Sequence, residues 1–229
     1  MSTDPGTLVL FCKPPDRSKR RLIPALGAVA ASELAERLLG CAVEDAAAWP
    51  GPVVLSPAHA ADVRWAERLP IPGARVLAQA AGNLGMRLTD IDLRLRDEGH
   101  RKIVFIGSDC PQLGVDALLA AAVALDHTDV VLGRASDGGV VFMGNRSSWP
   151  ALAELPWSTD ALGASLAAAC RARGLGVEWQ GPWRDVDRPA DLEPLTAALA
   201  TDRRPARERL KEWLDEWFES KERSETGYP

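Results

Sequence analysis

The sequence predicts an α/β fold built on a mostly parallel sheet. Short β-branched apolar runs alternate with Ala/Leu-rich helical patterns along most of the 229 residues, and strand-then-helix repetition implies parallel strands joined by right-handed crossovers. The runs are continuously apolar, as strands covered on both faces are. A hydrophobic fraction of 46% and a charged fraction of 26% suit a soluble chain long enough to bury a full core.

In chain order, strands are expected at TLVLFC (7–12), PVVLSP (52–57), ARVLAQ (74–79), KIVFIG (102–107), DVVLGRA (129–135), VVFMG (140–144) and GVEWQ (176–180). Helices are expected between them at about 26–48, 58–68, 83–98, 114–125 and 160–173. From about Thr201 the chain becomes heavily charged, with Leu210, Trp213, Leu214, Trp217 and Phe218 at helical spacing. The reading is one domain over 1–200 and a charged amphipathic C-terminal helix with a frayed end over 201–229. Its aromatic stripe either docks on the domain or forms a homodimer contact.

Composition excludes several classes. A net charge of −5 argues against a general nucleic-acid binder. No apolar run reaches the ~18 residues of a membrane span. The opening MSTDPGTLVLFCKPP has no basic region ahead of a long apolar stretch, so no signal peptide is expected. Cys12, Cys41, Cys110 and Cys170 are scattered without a C-x-x-C pair, which suggests neither zinc nor a disulfide framework and points to a reducing cytoplasm. His59, His100 and His127 stand alone, and no nucleophile elbow occurs.

Ligands of open α/β sheets bind outside the carboxyl ends of the strands. The first strand delivers KPPDRSKRRL, whose Lys13, Arg17, Lys19, Arg20 and Arg21 place five cations in nine positions of an acidic protein. Such a field attracts phosphates, although an ordinary solvated loop has the same letters. Neither a Walker loop nor a dinucleotide fingerprint is present. The third strand delivers QAAGNLGMR, with glycines for close backbone approach and Arg87 for an anion, unless Gly82 or Asn83 simply starts the helix.

The fourth strand delivers GSDCP. Asp109 stands too far from the next helix, near Gly114, to cap it. A turn or a hard-cation ligand remains, the latter because Mg²⁺ and Mn²⁺ bind through one or two carboxylates and substrate phosphates. Asp137-Gly138-Gly139 after the fifth strand could turn the chain beside a ligand or make a plain hairpin. In WRDVDRPADL, Asp185 and Asp187 alternate along an extended segment; Asp187 is either a second metal carboxylate or the N-cap of the helix that Pro189 and Asp191 begin.

Six motifs in this order, FCKPPDRSKRRL, QAAGNLGMR, GSDCPQL, SDGGVVFMG, PWST and DVDRPADL, resemble those of small bacterial GT-A-type glycosyltransferases. These are similar in fold to the guanylyltransferases of molybdenum cofactor synthesis and to 2-phospho-lactate guanylyltransferase. The resemblance spans about residues 7 to 195. It implies a three-layer α/β/α, Rossmann-like nucleotide-diphospho-sugar transferase fold, and a Mg²⁺- or Mn²⁺-dependent transferase using a nucleotide-sugar or nucleoside triphosphate and a small-molecule acceptor. Lys13, Lys19 and Arg21 would lie near the phosphates, and Gln79, Gly82 and Arg87 would shape the nucleotide pocket. Asp109 would hold the metal, joined by Asp187 or Asp185. The turn of Asp137, Gly138 and Gly139 and the loop of Trp157, Ser158 and Thr159 would face the acceptor. Asp109, Asp137 and Asp187 are the implied catalytic carboxylates.

The chain departs from the family pattern in places. The first loop is about two residues short and has Asp16 near the usual glycine; Arg20 replaces a threonine, Asn83 an aspartate and Val140 a tyrosine. Three readings stand: sugar transfer, nucleotidyl transfer to a phosphorylated acceptor with pyrophosphate release, or a non-catalytic member that binds a nucleotide or a protein.

Overall fold

The computed structural model describes residues 4–226; the frayed end expected at the extreme C-terminus lies partly outside them. Seven strands form one sheet in the order β3-β2-β1-β4-β6-β5-β7. They are β1 (Thr7–Cys12), β2 (Val53–Pro57), β3 (Arg75–Val76), β4 (Ile103–Ile106), β5 (Val130–Ala135), β6 (Val140–Asn145) and β7 (Val177–Trp183). Only β6 runs against its neighbours, β4 and β5, so the sheet is mixed but mostly parallel, as expected.

Alternate residues of the central strands feed two separate cores, because side chains of a strand point to opposite faces in turn. On one face Leu8, Leu10, Val104 and Ile106 meet Leu39 and Val43 of α2 (Ala28–Ala47) and Leu118 and Ala121 of α5 (Val115–Ala124). On the other, Val9, Ile103, Phe105 and Leu132 meet Leu88, Ile91 and Leu95 of α4 (Leu84–Asp97) and Leu166 and Cys170 of α6 (Leu162–Ala172). Each large aliphatic side chain taken from water here contributes about 1.5–3 kcal/mol.

The helix expected over 26–48 begins as a single turn, α1 (Ile23–Leu26), breaks at Gly27 and resumes as α2. Gly27 has φ +83°, a conformation open to glycine at no steric cost. The helix expected over 58–68 is one turn, α3 (Val63–Ala66), after a 3₁₀ segment. The strand expected over 74–79 pairs only at Arg75–Val76, although Leu77 and Gln79 still donate single backbone bonds to Leu55 and Pro57. An edge strand with one partner has no second ladder to hold it regular.

The C-terminal helix α8 (Pro205–Thr226) docks on the outer face of α2, with α7 (Leu192–Ala198) beside it. Leu210, Trp213 and Leu214 are buried there against Leu34, Leu38 and Cys41, and Trp217 and Phe218 pack at the margin. The aromatic stripe is thus used within the chain. No helix among the described residues is long and apolar enough to cross a membrane.

Candidate active site

The loops leaving β1, β4 and β7 meet at the carboxyl edge of the sheet. The Val186 N–H donates to the Asp109 carbonyl at 2.8 Å, tying the loop after β7 to the loop after β4. Gln112 Oε1 accepts from the Arg184 N–H at 2.9 Å and reinforces the tie. Asp191 accepts from the backbone N–H groups of Asp187 and Arg188 at 2.9 and 2.7 Å. Asp191 therefore closes this turn, Arg188 is the N-cap, and the Asp187 side chain is left for the site.

Lys19 occupies the centre. Its side chain is only 5% exposed, and its Nζ lies 2.6 Å from Asp109 Oδ1 and 3.2 Å from Asp187 Oδ1. It also donates to the Val186 carbonyl. Burial pulls its ammonium toward neutrality, but the Asp109 and Asp187 carboxylates outweigh that and hold its pKa above the ordinary lysine value. Lys19 has φ +49°, and among the described residues Ser158, at φ +65°, is the only other non-glycine with positive φ. This region costs an L-residue roughly 1–2 kcal/mol, and such strain clusters at functional sites. Both residues fall in motifs singled out from sequence.

The five-cation loop is less free than its composition suggests. Arg17 pairs with Asp62 at 2.8 Å, Lys19 with Asp109 and Asp187, and Arg21 with Asp187 at 3.4 Å. Lys13 and Arg20 are exposed and carry no such pair among the described residues. Three of the five charges are thus neutralised within the protein.

Asp185 is half-buried on the same edge. Burial pushes its pKa up to about 6, and the charges of Asp137, Asp187 and Asp109 push it the same way. Asp185 thus lies within reach of the Asp137, Asp187 and Asp109 charges together, and residues two apart on an extended segment, such as Asp185 and Asp187, share a face. The raised pKa means that the folded, metal-free protein binds the Asp185 proton more tightly than the unfolded chain does. Stability is then expected to fall as pH rises from about 4 to about 6. Asp185→Asn should flatten that part of a Tm-against-pH curve recorded in chelator; an unchanged slope would show that Asp185 does not titrate in this window.

The other predicted residues have structural roles of their own, and of them Asp137 lies near enough to act on Asp185. Gln79 Nε2 donates to the Ser56 carbonyl at 2.7 Å, stitching the chain after β3 to β2. Gly82 has φ +113°, its carbonyl accepts from Arg87 Nε at 2.8 Å, and Asn83 caps α4 through the Met86 N–H at 3.0 Å. The Asp137 turn is the hairpin joining β5 and β6, where Asp137 Oδ1 accepts from the Gly139 N–H at 3.0 Å. Gly138, at φ +94°, lies against the start of the α6 region: a Cβ there would sit 2.2 Å from the Asp160 carbonyl oxygen. In the next loop Trp157 donates to the Leu152 carbonyl at 2.8 Å and Thr159 to that of Pro156 at 2.7 Å. Cys110 beside Asp109 is held protonated, because burial pushes its thiol up to about 12.

Carboxylates gathered with excess negative charge suit a hard divalent cation in chemistry. Among the described residues, however, no group of three or more Asp, Glu, His or Cys is already arranged around one point. Instead the Lys19 ammonium stands between the two nearest carboxylates, Asp109 and Asp187.

Residues 39–159, more than half the chain, match the model of a family described as an uncharacterized protein conserved in bacteria (DUF2064). The chain belongs to this family. No curated protein is a significant match. Among solved structures, a candidate nucleotide-diphospho-sugar transferase from Desulfovibrio desulfuricans G20 superposes with a TM-score of 0.83 at 22% identity, over 93% of this chain and 98% of that one. CMP:2-keto-3-deoxy-manno-octonic acid synthetase complexed with CTP gives 0.53 at 11% identity, over 86% and 98%. A cytidylyltransferase from Leptospira borgpetersenii gives 0.52 at 13% identity, over 96% and 94%. This member of the DUF2064 family thus has the GT-A-like fold of nucleotide-diphospho-sugar transferases.

Two arrangements were not foreseen from sequence. One is a buried network around Arg207, which ties α8 to the chain just after Asp109. The acidic pair Glu44–Asp45 in an otherwise alanine-rich helix stretch was its only sequence signal. The other is an open groove beside the β5–β6 hairpin, built by Arg134, Arg171 and Trp179 from three separate elements. No local pattern links them.

Proposed function

We propose that the protein is a transferase that uses a nucleotide-diphosphate-sugar donor with Mg²⁺ or Mn²⁺. The observation that carries this reading is Lys19, buried between Asp109 and Asp187 at the edge where such folds bind ligands. Asp109 and Asp187, with Asp185 beside them, would hold the cation, which neutralises a diphosphate and so favours its departure. Lys13 and Arg20 offer their exposed charges to the phosphates, and Lys19 supplies a positive charge already desolvated where negative charge grows on the leaving group. Gln79, Gly82 and Arg87 bound the nucleotide side. The hairpin of Asp137, Gly138 and Gly139 and the loop of Trp157, Ser158 and Thr159 bound the acceptor side. Asp137 keeps one carboxylate oxygen beyond its turn bond and is the candidate to take the acceptor's proton.

Nucleotidyl transfer comes second, because a triphosphate and a phosphorylated acceptor would both need free cations. The loop has already committed Arg17, Lys19 and Arg21 to carboxylates. Incubation with a panel of nucleotide-sugars, nucleoside triphosphates and small acceptors in Mn²⁺ distinguishes the readings by product. A nucleoside diphosphate supports sugar transfer, whereas pyrophosphate reverses the order. If no nucleotide raises Tm with or without Mn²⁺, and Asp109→Ala changes nothing, the catalytic reading falls.

A further inference from the structure

We propose that the open groove of about 430 Å³ beside the β5–β6 hairpin binds the acceptor by an anionic group, a phosphate or carboxylate carried on a small hydroxylated molecule. In calling the ligand an acceptor this rests on the transferase reading; anion binding as such does not. The groove opens beside the hairpin of Ser136, Gly138 and Gly139, the same turn that carries Asp137. That rim lies at the carboxyl edge of the sheet, as Asp109 does, while Arg171 stands at the far end of α6.

Two guanidiniums line it. Arg134, at the end of β5, lies over the Trp179 indole of β7, 4.8 Å from the ring centroid. Stacking of this kind holds the guanidinium plane while leaving its N–H edge open. Arg171 enters from the last turn of α6. Among the described residues neither guanidinium has a hydrogen-bond or ion-pair partner. By contrast, Arg17, Arg75, Arg96, Arg146, Arg204 and Arg207 each reach a carboxylate. In a protein of net charge −5, two unpaired arginines converging on one concavity form a receptor for a planar or tetrahedral anion, which guanidiniums grip through paired N–H bonds.

The walls are firm and leave room. The Gly163 N–H donates to the Gly138 carbonyl at 3.1 Å, and a Cβ on Gly163 would stand 3.0 Å from the Trp179 ring. Ala164 and Ala167 keep the α6 side shallow. Asp160 is the one carboxylate lining the groove, and it pairs with neither arginine. An acceptor-only group there would take hydrogen bonds from ligand hydroxyls, which is why the ligand is a hydroxylated anion rather than inorganic phosphate alone.

Calorimetric titration of the whole protein with glycerol 3-phosphate, glycerate and glycerol tests this. One or both anions should bind and glycerol should not; the tighter anion identifies phosphate or carboxylate. Arg134→Gln and Arg171→Gln should each weaken anion binding tenfold or more, with Tm within about 2 °C of the parent, and Asp109→Asn should leave it unchanged. Equal binding of glycerol, no binding of either anion, or indifference to both arginine substitutions would overturn the proposal. If the anions bind as expected but no nucleotide does, the site stands and the transferase reading fails instead. If nucleotides bind and the anions do not, the reverse holds.

Discussion

Replacing Arg207 by methionine is expected to lower the unfolding free energy by about 3–5 kcal/mol, the usual consequence of stripping one partner from a buried ion pair. Arg207 is fully buried and heads the largest such side chains. Its five N–H donors meet five acceptors. Nε reaches the Pro111 carbonyl at 3.0 Å; Nη1 reaches the Cys41 carbonyl and Glu44 Oε2, both at 2.8 Å; Nη2 reaches the Leu113 carbonyl at 2.7 Å and Asp45. Burial already pushes Asp45 up to about 6 against the pull of Arg207 and then Arg204. Without Arg207, only the Arg204 contact at 3.3 Å opposes the desolvation, and the Pro111 and Cys41 carbonyls lose this donor while Leu113 keeps Arg204 Nη1 at 3.0 Å. Urea titration followed by tryptophan fluorescence measures the loss. A change below about 1 kcal/mol would mean that the network relaxes or fills with water at little cost. Combining the substitution with Asp45→Leu should recover part of the loss, because it removes the stranded charge.

This network marks the boundary of what the sequence could show. The strands around Leu8–Leu10 and Val104–Ile106 were legible because two-sided burial makes a strand continuously apolar. Asp109 was legible as a carboxylate at a strand end that no helix needed. The charged loop was legible as composition but not as electrostatics. Which of its cations stay free depends on Asp62, Asp109 and Asp187, and those partners arrive only through the β2, β4 and β7 connections. The N-cap alternative for Asp187 was equally undecidable from letters. Asp191 can close the same turn, and its bonds to the Asp187 and Arg188 N–H groups, at 2.9 and 2.7 Å, settle which residue does so. α8 read as an amphipathic helix with an unspecified partner, since a stripe records that a face is buried and not against what.

Lys19→Met is expected to move two properties in opposite directions. The ammonium it removes sits 2.6 Å from Asp109 and 3.2 Å from Asp187, so these carboxylates are left facing each other with Asp185 close by. Like charges so placed raise the free energy of the empty site, and a divalent cation relieves it more than in the parent, where Lys19 already does so. Mn²⁺ affinity should therefore rise tenfold or more, equivalent to about 1.4 kcal/mol, with Asp109→Asn lowering it. Turnover of a nucleotide-sugar donor should nevertheless fall at least a hundredfold, about 2.7 kcal/mol, the scale seen when one preorganised charge-stabilising donor is lost. Calorimetry with Mn²⁺ alone and a product assay give the two readouts independently. Unchanged Mn²⁺ affinity would show that the cation does not compete for the place of Lys19. A parallel fall in both would make Lys19 a scaffold for the loops, since loss of the Val186 carbonyl contact would then be collapsing the site as a whole.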